Sequence, residues 1–230
     1  MKTNPIRRRG FTLVELLVVI VIIASLAALS APMIIGQIKK ADRTEAINNA
    51  KQIGLAFFSF QEEYGSYPDK DTQTLVETNN DSSDVTADEG SSNGYFRQLF
   101  VAGITESEAM FYAKTGFTNK PDGQLGAKTL EVGEVGFGYM MNGSQGLTTA
   151  GNPARVSAVT PLDDTGKFNL EAFDKKAVCL RIDNSASALP INSDGEVLLG
   201  GGKKLTEGGA GSVWGATGDP KIVAPQADAP

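Results

Sequence analysis

Glu15 is the residue whose position demands a chemical explanation. It follows Gly10 by five places in the run Arg8-Arg9-Gly10-Phe11-Thr12-Leu13-Val14-Glu15-Leu16-Leu17, at the front of a long apolar stretch. A carboxylate within a bilayer is unfavourable by about 2.5–3.5 kcal/mol at the midplane. It must snorkel to the interface or find a cation. Other oxygen-bearing clusters are weaker. Asp163-Asp164-Thr165-Gly166 and Asn192-Ser193-Asp194-Gly195 could offer oxygens to calcium, but neither has the spaced acids and terminal glutamate of an EF-hand loop. Asp-Gly pairs are ordinarily turns. Asp81 and Asp84 fall in a polar stretch and read as solvated carboxylates rather than a general acid/base pair. The 230 residues include no histidine, which removes Ser-His-Asp and Cys-His catalysis and His-ligated zinc. The single cysteine, Cys179, permits no intrachain disulfide and reads as a small buried apolar residue.

Charge is unevenly spread. The first ten residues hold four basic side chains and no acid, leaving 17 basic against 27 acidic residues beyond them, a net of −10. So acidic a body argues against nucleic acid as a partner. Lys39, Lys40 and Arg43 form the nearest basic group, diluted by Asp42 and Glu45, and read as the polar edge of a membrane segment.

That segment is residues 16–35, LLVVIVIIASLAALSAPMII, without a charge. Twenty residues at ~1.5 Å each span a hydrocarbon core of ~30 Å. Arg7, Arg8 and Arg9 hold its start on the cytoplasmic side. Ala24, Ala27, Ala28 and Ala31 give small-residue spacings that let helices approach closely. Pro32 removes one backbone donor and should kink or loosen the helix.

The helical pattern continues beyond the apolar run. Ala46, Ile47, Ala50, Ile53, Phe57, Phe60 and Tyr64 recur at steps of mostly three and four, so the spacing predicts a helix to Tyr64, ended by Gly65. One apolar stripe needs a globular body to lie against. Two helices broken near Pro32 or Gly36 are the alternative. Residues 69–94 read as a polar surface loop. Short helices are expected at 94–102 and 105–114, with Thr105 and Glu108 as a capping box. Strands are expected at Val135–Asn142, Arg155–Thr160 and Ala177–Asp183, then a hairpin about Asp194-Gly195. The expected fold class is α+β: a long N-terminal helix, half membrane segment and half amphipathic, packed against a small antiparallel β-sheet domain.

The basic leader, Gly10, the Phe11-Thr12-Leu13-Val14-Glu15 start, the apolar run and Pro32 together resemble the N-terminal signature of the type IV pilin and type II secretion pseudopilin family, over about residues 5–64. The resemblance implies cleavage between Gly10 and Phe11 by a membrane prepilin peptidase, with methylation of the new amine. It implies that Glu15 of one subunit pairs with the Phe11 amine of its neighbour, so that Phe11, Glu15 and Pro32 serve assembly. The domains it suggests are a cleaved leader (1–10), a transmembrane and filament-core helix (11–36), its amphipathic continuation (37–65), an α+β head (66–215) and a loose tail (216–230). The implied partners are the peptidase, other pilin-like subunits and an inner-membrane assembly platform. The implied location is the bacterial inner membrane, single-pass, then a periplasmic or extracellular filament. No cofactor is expected. Some members bind calcium near the C-terminal end, which is why the two Asp-Gly stretches are candidates.

A type II pseudopilin fits better than a type IV pilus pilin, because the cysteine pair that closes the C-terminal loop in many pilins is absent. The competing class is an exported binding protein or enzyme with an ordinary signal peptide. Ala28-Leu29-Ser30 resembles a signal peptidase site, which would start the mature chain near Ala31.

Overall fold

The computed structural model describes residues 11–80, 90–163 and 165–226, without the side chains of residues 30–32. The leader (1–10), the pair Asp81 and Asp84, Asp164 and residues 227–230 lie outside the described residues. The chain divides into two compact units, one ending at Ile38 and the other beginning at Lys39.

Helix α1 (Leu13–Tyr64) runs through both, 52 residues long. In the first unit the side chains from Phe11 to Leu29 are all exposed, and Met33 to Ile35 and Ile38 are exposed too. Ser25, one of two polar residues in the apolar run, donates its hydroxyl to Val21 O at 2.8 Å, so its polar group is satisfied within the helix. Among the described residues no single helix is long and apolar enough to cross a membrane. The segments Leu13–Leu29 and Met33–Tyr64, bent at the break that holds Pro32, are together long and apolar enough by length and composition.

In the second unit the expected stripe is the buried face. Ala46, Ala50, Ile53, Phe57, Phe60 and Tyr64 are all buried, and Ile47 is half-buried. Gly65 ends the helix at φ +88, with its N–H on Gln61 O. A left-handed residue there costs glycine nothing. The start of this unit is tied down as well. Lys39 pairs with Glu171 at 3.5 Å, Asp42 with Lys114 at 3.4 Å, and Arg43 donates to Phe173 O. The first two are surface pairs of small energetic weight.

The helix lies over a five-stranded antiparallel sheet of β1 (Gly138–Asn142), β2 (Val156–Thr160), β3 (Lys176–Arg181), β4 (Ala186–Pro190) and β5 (Pro220–Val223), in the order β4-β3-β2-β1-β5. Phe57 sets its ring 5.5 Å from that of Tyr139 on β1. The fold is the expected α+β arrangement. Every residue of β2 is buried, and Cys179 of β3 is as buried as Val178 and Leu180. Both faces of β2 and of β3 from Ala177 to Leu180 are therefore buried.

Several local expectations are corrected. Residues 70–80 are helix α2 (Lys70–Asn80), not loop. Its sequence is polar because one side faces water. Thr72 and Val76 are buried, and Asp69 caps it by accepting from Thr72 N at 2.8 Å. Helix α3 (Ser92–Val101) starts two residues before the expected place, capped by Ser91. The helix expected at 105–114 is only a 3-10 turn, Glu108–Phe111. The Asp194-Gly195 turn forms, with Gly195 at φ +76, but joins the single bridge Ile191–Val197 rather than two strands. On the side away from β2, the ladder partner of β3 is β4, whose small residues Ala186, Ser187 and Ala188 gave no strand signal. Strand β5 falls within the stretch expected to be loose; pairing with β1 orders it.

Candidate functional site

The site is the start of α1. Phe11 and Thr12 precede the helix, and Leu13 opens it. Thr-x-x-Glu at this point is a capping box: residues three apart meet across the first turn and satisfy donors that the helix leaves unpaired. Thr12 N–H donates to Glu15 Oε2 at 2.8 Å, and so does the Thr12 hydroxyl, also at 2.8 Å. Glu15 N–H returns a bond to Thr12 Oγ1 at 3.2 Å. An acid in the first turn also suits the positive end of the helix dipole. Phe11 is 82% exposed and Glu15 is exposed. Phe11, Thr12 and Glu15 thus share one turn. Pro32, on the same helix, is roughly 25 Å further along its axis. Gly10 lies outside the described residues. Thr12 is the residue of this turn that spacing analysis passed over, and its signal was the capping-box pattern itself.

The calcium candidates are turns. Asp163 Oδ1 accepts from Thr165 N–H, the Thr165 hydroxyl and Lys167 N–H. Burial pushes its carboxyl upward, but these bonds and the Lys167 charge outweigh that and hold it below the ordinary aspartate range. Asn192 Oδ1 accepts from the backbone of Asp194 and Glu196. Glu196 is paired with Lys204 Nζ at 2.7 Å. The two turns line one cavity of about 440 Å³ together with Lys167 and Lys204. Oxygens already engaged by backbone donors, beside two ammonium groups, do not make a favourable cation cage.

Among the described residues the one group of three acids with ligand atoms within 4.8 Å of each other is Glu108, Asp122 and Glu134. The structure gives it a local task. Glu108 binds Leu130 N–H at 2.7 Å and Gly123 N–H at 2.9 Å; Glu134 binds Glu131 N–H and Asp122 N–H. These carboxylates clasp the irregular loop between Lys120 and Glu134. Glu108, expected as a capping residue for Thr105, turned to the loop instead.

Cys179, the aromatic residues of α1 and Trp214 are structural. Cys179 is buried, and burial pushes its thiol up to about 12, despite the nearby Arg181 charge. Phe57 and Phe60 are core residues, with Phe58 packed beside them. Trp214 is buried and donates its indole N–H to Leu205 O at 2.9 Å.

Comparison with known proteins bears directly on the start of α1. The family model described as the prokaryotic N-terminal methylation motif matches residues 6–31, which contain Gly10, Phe11 and Glu15. The chain is also 40% identical over 62 residues to type II secretion system core protein G of Pectobacterium carotovorum, which is 27% of this chain and 40% of the relative. It is 35% identical over 95 residues to the Klebsiella pneumoniae protein of the same name, covering 40% and 66%. The Escherichia coli K12 protein is 37% identical over 73 residues, covering 31% and 50%. The chain carries a prepilin-type N-terminus and is homologous to core protein G, a pseudopilin.

The matched stretches span between 40% and 66% of these relatives' own length. No solved structure matches the chain. The prepilin-type N-terminus accounts for the leader arginines, the apolar run and the acid in one motif. The capping box shows how that motif folds: the helix begins two residues after the expected cut, with Glu15 bent back over its mouth.

Proposed function

We propose that the chain is a structural subunit of a type IV filament-like assembly, a pseudopilin of a type II secretion system. A prepilin peptidase cuts between Gly10 and Phe11, and the subunit polymerises through its N-terminal helix. The role is structural rather than enzymatic. The observation that carries this reading is the methylation motif over residues 6–31, with Glu15 placed at the open end of α1.

The physical sequence is as follows. Cutting removes Arg7, Arg8 and Arg9 and exposes the Phe11 amine, protonated at neutral pH. The apolar residues from Leu16 onward leave water for the bilayer and later for a filament core. There Glu15 pairs with the amine of a neighbouring copy. In a medium of low dielectric the attraction of that pair is large, and an unpaired acid is expensive, so the pair sets the axial register. Small residues along the same helix, Ala24, Ala27 and Ala28, allow close helix approach. The head (66–215) remains outside the cytoplasm. The partners are the peptidase, other pilin-like subunits and an inner-membrane assembly platform. The named relatives favour a secretion filament over an adhesive pilus.

Mass spectrometry of membrane-extracted protein tests the reading. The expected mature chain starts at Phe11 with a methylated amine. Functional material that retained the arginine leader, or that started near Ala31, would overturn it. Glu15→Gln should abolish incorporation into filaments while leaving the cut intact.

A further inference from the structure

Three segments far apart in the chain meet where the second unit begins. Lys39 reaches Glu171 at 3.5 Å, Arg43 donates to Phe173 O at 3.5 Å, and Lys114 reaches Asp42 at 3.4 Å. These ties gather six basic residues at one edge: Lys39, Lys40, Arg43, Lys114, Lys175 and Lys176. Four acids share it. Asp42 and Glu171 are already paired; Glu45 and Asp174 are exposed. Lys40, Lys175 and Lys176 have no acidic partner among the described residues. The edge is thus net positive, on a chain that nets −10 beyond residue 10. We propose that this edge docks on anionic phospholipid headgroups and holds the head against the membrane before the subunit is drawn into a filament. This rests on the reading of the chain as a membrane-anchored filament subunit.

Position supports it first. Lys39 follows the apolar run 16–35 by four residues, roughly 6 Å of helix, so it lies near the headgroups once that run is in lipid. Charge is the second point. Cations on the outer side run against the usual bias toward the cytoplasm, so their presence calls for a use there. The backbone gives the third. Asp174 and Lys175 are both left-handed at φ +56, a conformation that costs a lysine. Lys175 is pinned in it: its N–H donates to Leu170 O at 3.0 Å, and its carbonyl accepts from Ile191 N–H at 2.9 Å. The turn keeps an exposed cation at the edge at a backbone cost. Each basic residue near an anionic surface adds only a small attraction. In an anchored chain, however, docking is intramolecular, and a small attraction suffices. Glu62 and Glu63, roughly 30 Å further along α1, lie beyond the Debye length of ~10 Å and do not oppose it.

The test uses the full chain in nanodiscs of phosphatidylcholine, alone or mixed with phosphatidylglycerol. Amide exchange over residues 170–176 should slow about five-fold in the anionic discs, and added salt should erase the difference. Lys40→Gln combined with Lys175→Gln should abolish the slowing. Lys128→Gln combined with Lys221→Gln removes the same charge away from this edge and should retain it. Lys40→Gln alone, an exposed change in a helix, should weaken the slowing even if the Lys175 variant fails to fold. Equal exchange in the two kinds of disc, or slowing unaffected by Lys40→Gln, would overturn the docking surface. Either result would leave the filament reading standing, because no neighbouring copy takes part. A chain that enters neither disc would instead overturn the membrane anchor on which both readings rest.

Discussion

Asn184, at the turn between β3 and β4, seats its side-chain carbonyl against the bare Cα of Gly54 in α1. A β-carbon on Gly54 would collide with Asn184 Oδ1 and press on Leu180 of β3. Among the described residues no hydrogen-bond partner reaches the buried Oδ1, and Asn184 itself holds φ +63. Glycine in mid-helix normally costs about 1 kcal/mol relative to alanine. Here the missing side chain is what lets the helix meet the sheet.

Gly54→Ala should therefore destabilise the protein although it improves helix propensity. Overpacking of this kind costs about 1–3 kcal/mol, more than the propensity gain. A fall in Tm on thermal unfolding is expected, by about 2–4 °C per kcal/mol for a chain of this size. A rise in Tm would show that propensity dominates and that the contact yields.

Asp69 joins three elements. Its carboxylate accepts from Thr72 N–H at 2.8 Å and from Gly146 N–H at 3.0 Å, while Asp69 O accepts from Gln98 of α3. Asp69→Ala removes the cap of α2 and strands a loop donor, which should cost about 1–3 kcal/mol in urea unfolding. Asp69→Asn should recover only part of this, because one of its two acceptor positions becomes a donor.

The Glu108 clasp predicts a pH dependence. Burial is the main influence and raises its carboxyl above the ordinary glutamate value; the Leu130 and Gly123 amides oppose this, while Glu134 and Asp122 add to it. A folded-state pKa above the unfolded one means the folded chain binds the proton more tightly. The associated stability is complete below the unfolded value and is lost as pH rises through the folded value. Glu108→Gln should thus flatten the fall in stability seen above the ordinary carboxyl range. Urea titrations across that range would read the difference, and parallel curves for parent and variant would contradict it.

Cys179 should be silent in the folded protein. A buried thiol pushed up to about 12 supplies almost no thiolate at pH 8. Thiol-reactive dye should label one site per chain, and only as the protein unfolds. Rapid labelling under native conditions would mean that β3 opens locally.

The sequence by itself determined where α1 ends and which of its faces is buried, and left open whether it runs unbroken past Pro32. Apolar spacing and capping chemistry act among neighbours in the chain, so the acid at position 15, the stripe from Ala46 to Tyr64 and the stop at Gly65 were legible without any partner. Tertiary structure decided the rest. Helix α2 is mostly polar and exists because Asp69, Gln98 and a small buried face hold it. Strands β4 and β5 are too short or too small in side chain to declare themselves, and they form because β3 and β1 offer unpaired backbone. Glu108 had two possible duties, and in the fold it accepts from the Gly123 and Leu130 amides of the loop after Lys120. Local pattern settles what a segment can form; only the positions of distant donors and surfaces settle which of those options lowers the free energy of the whole.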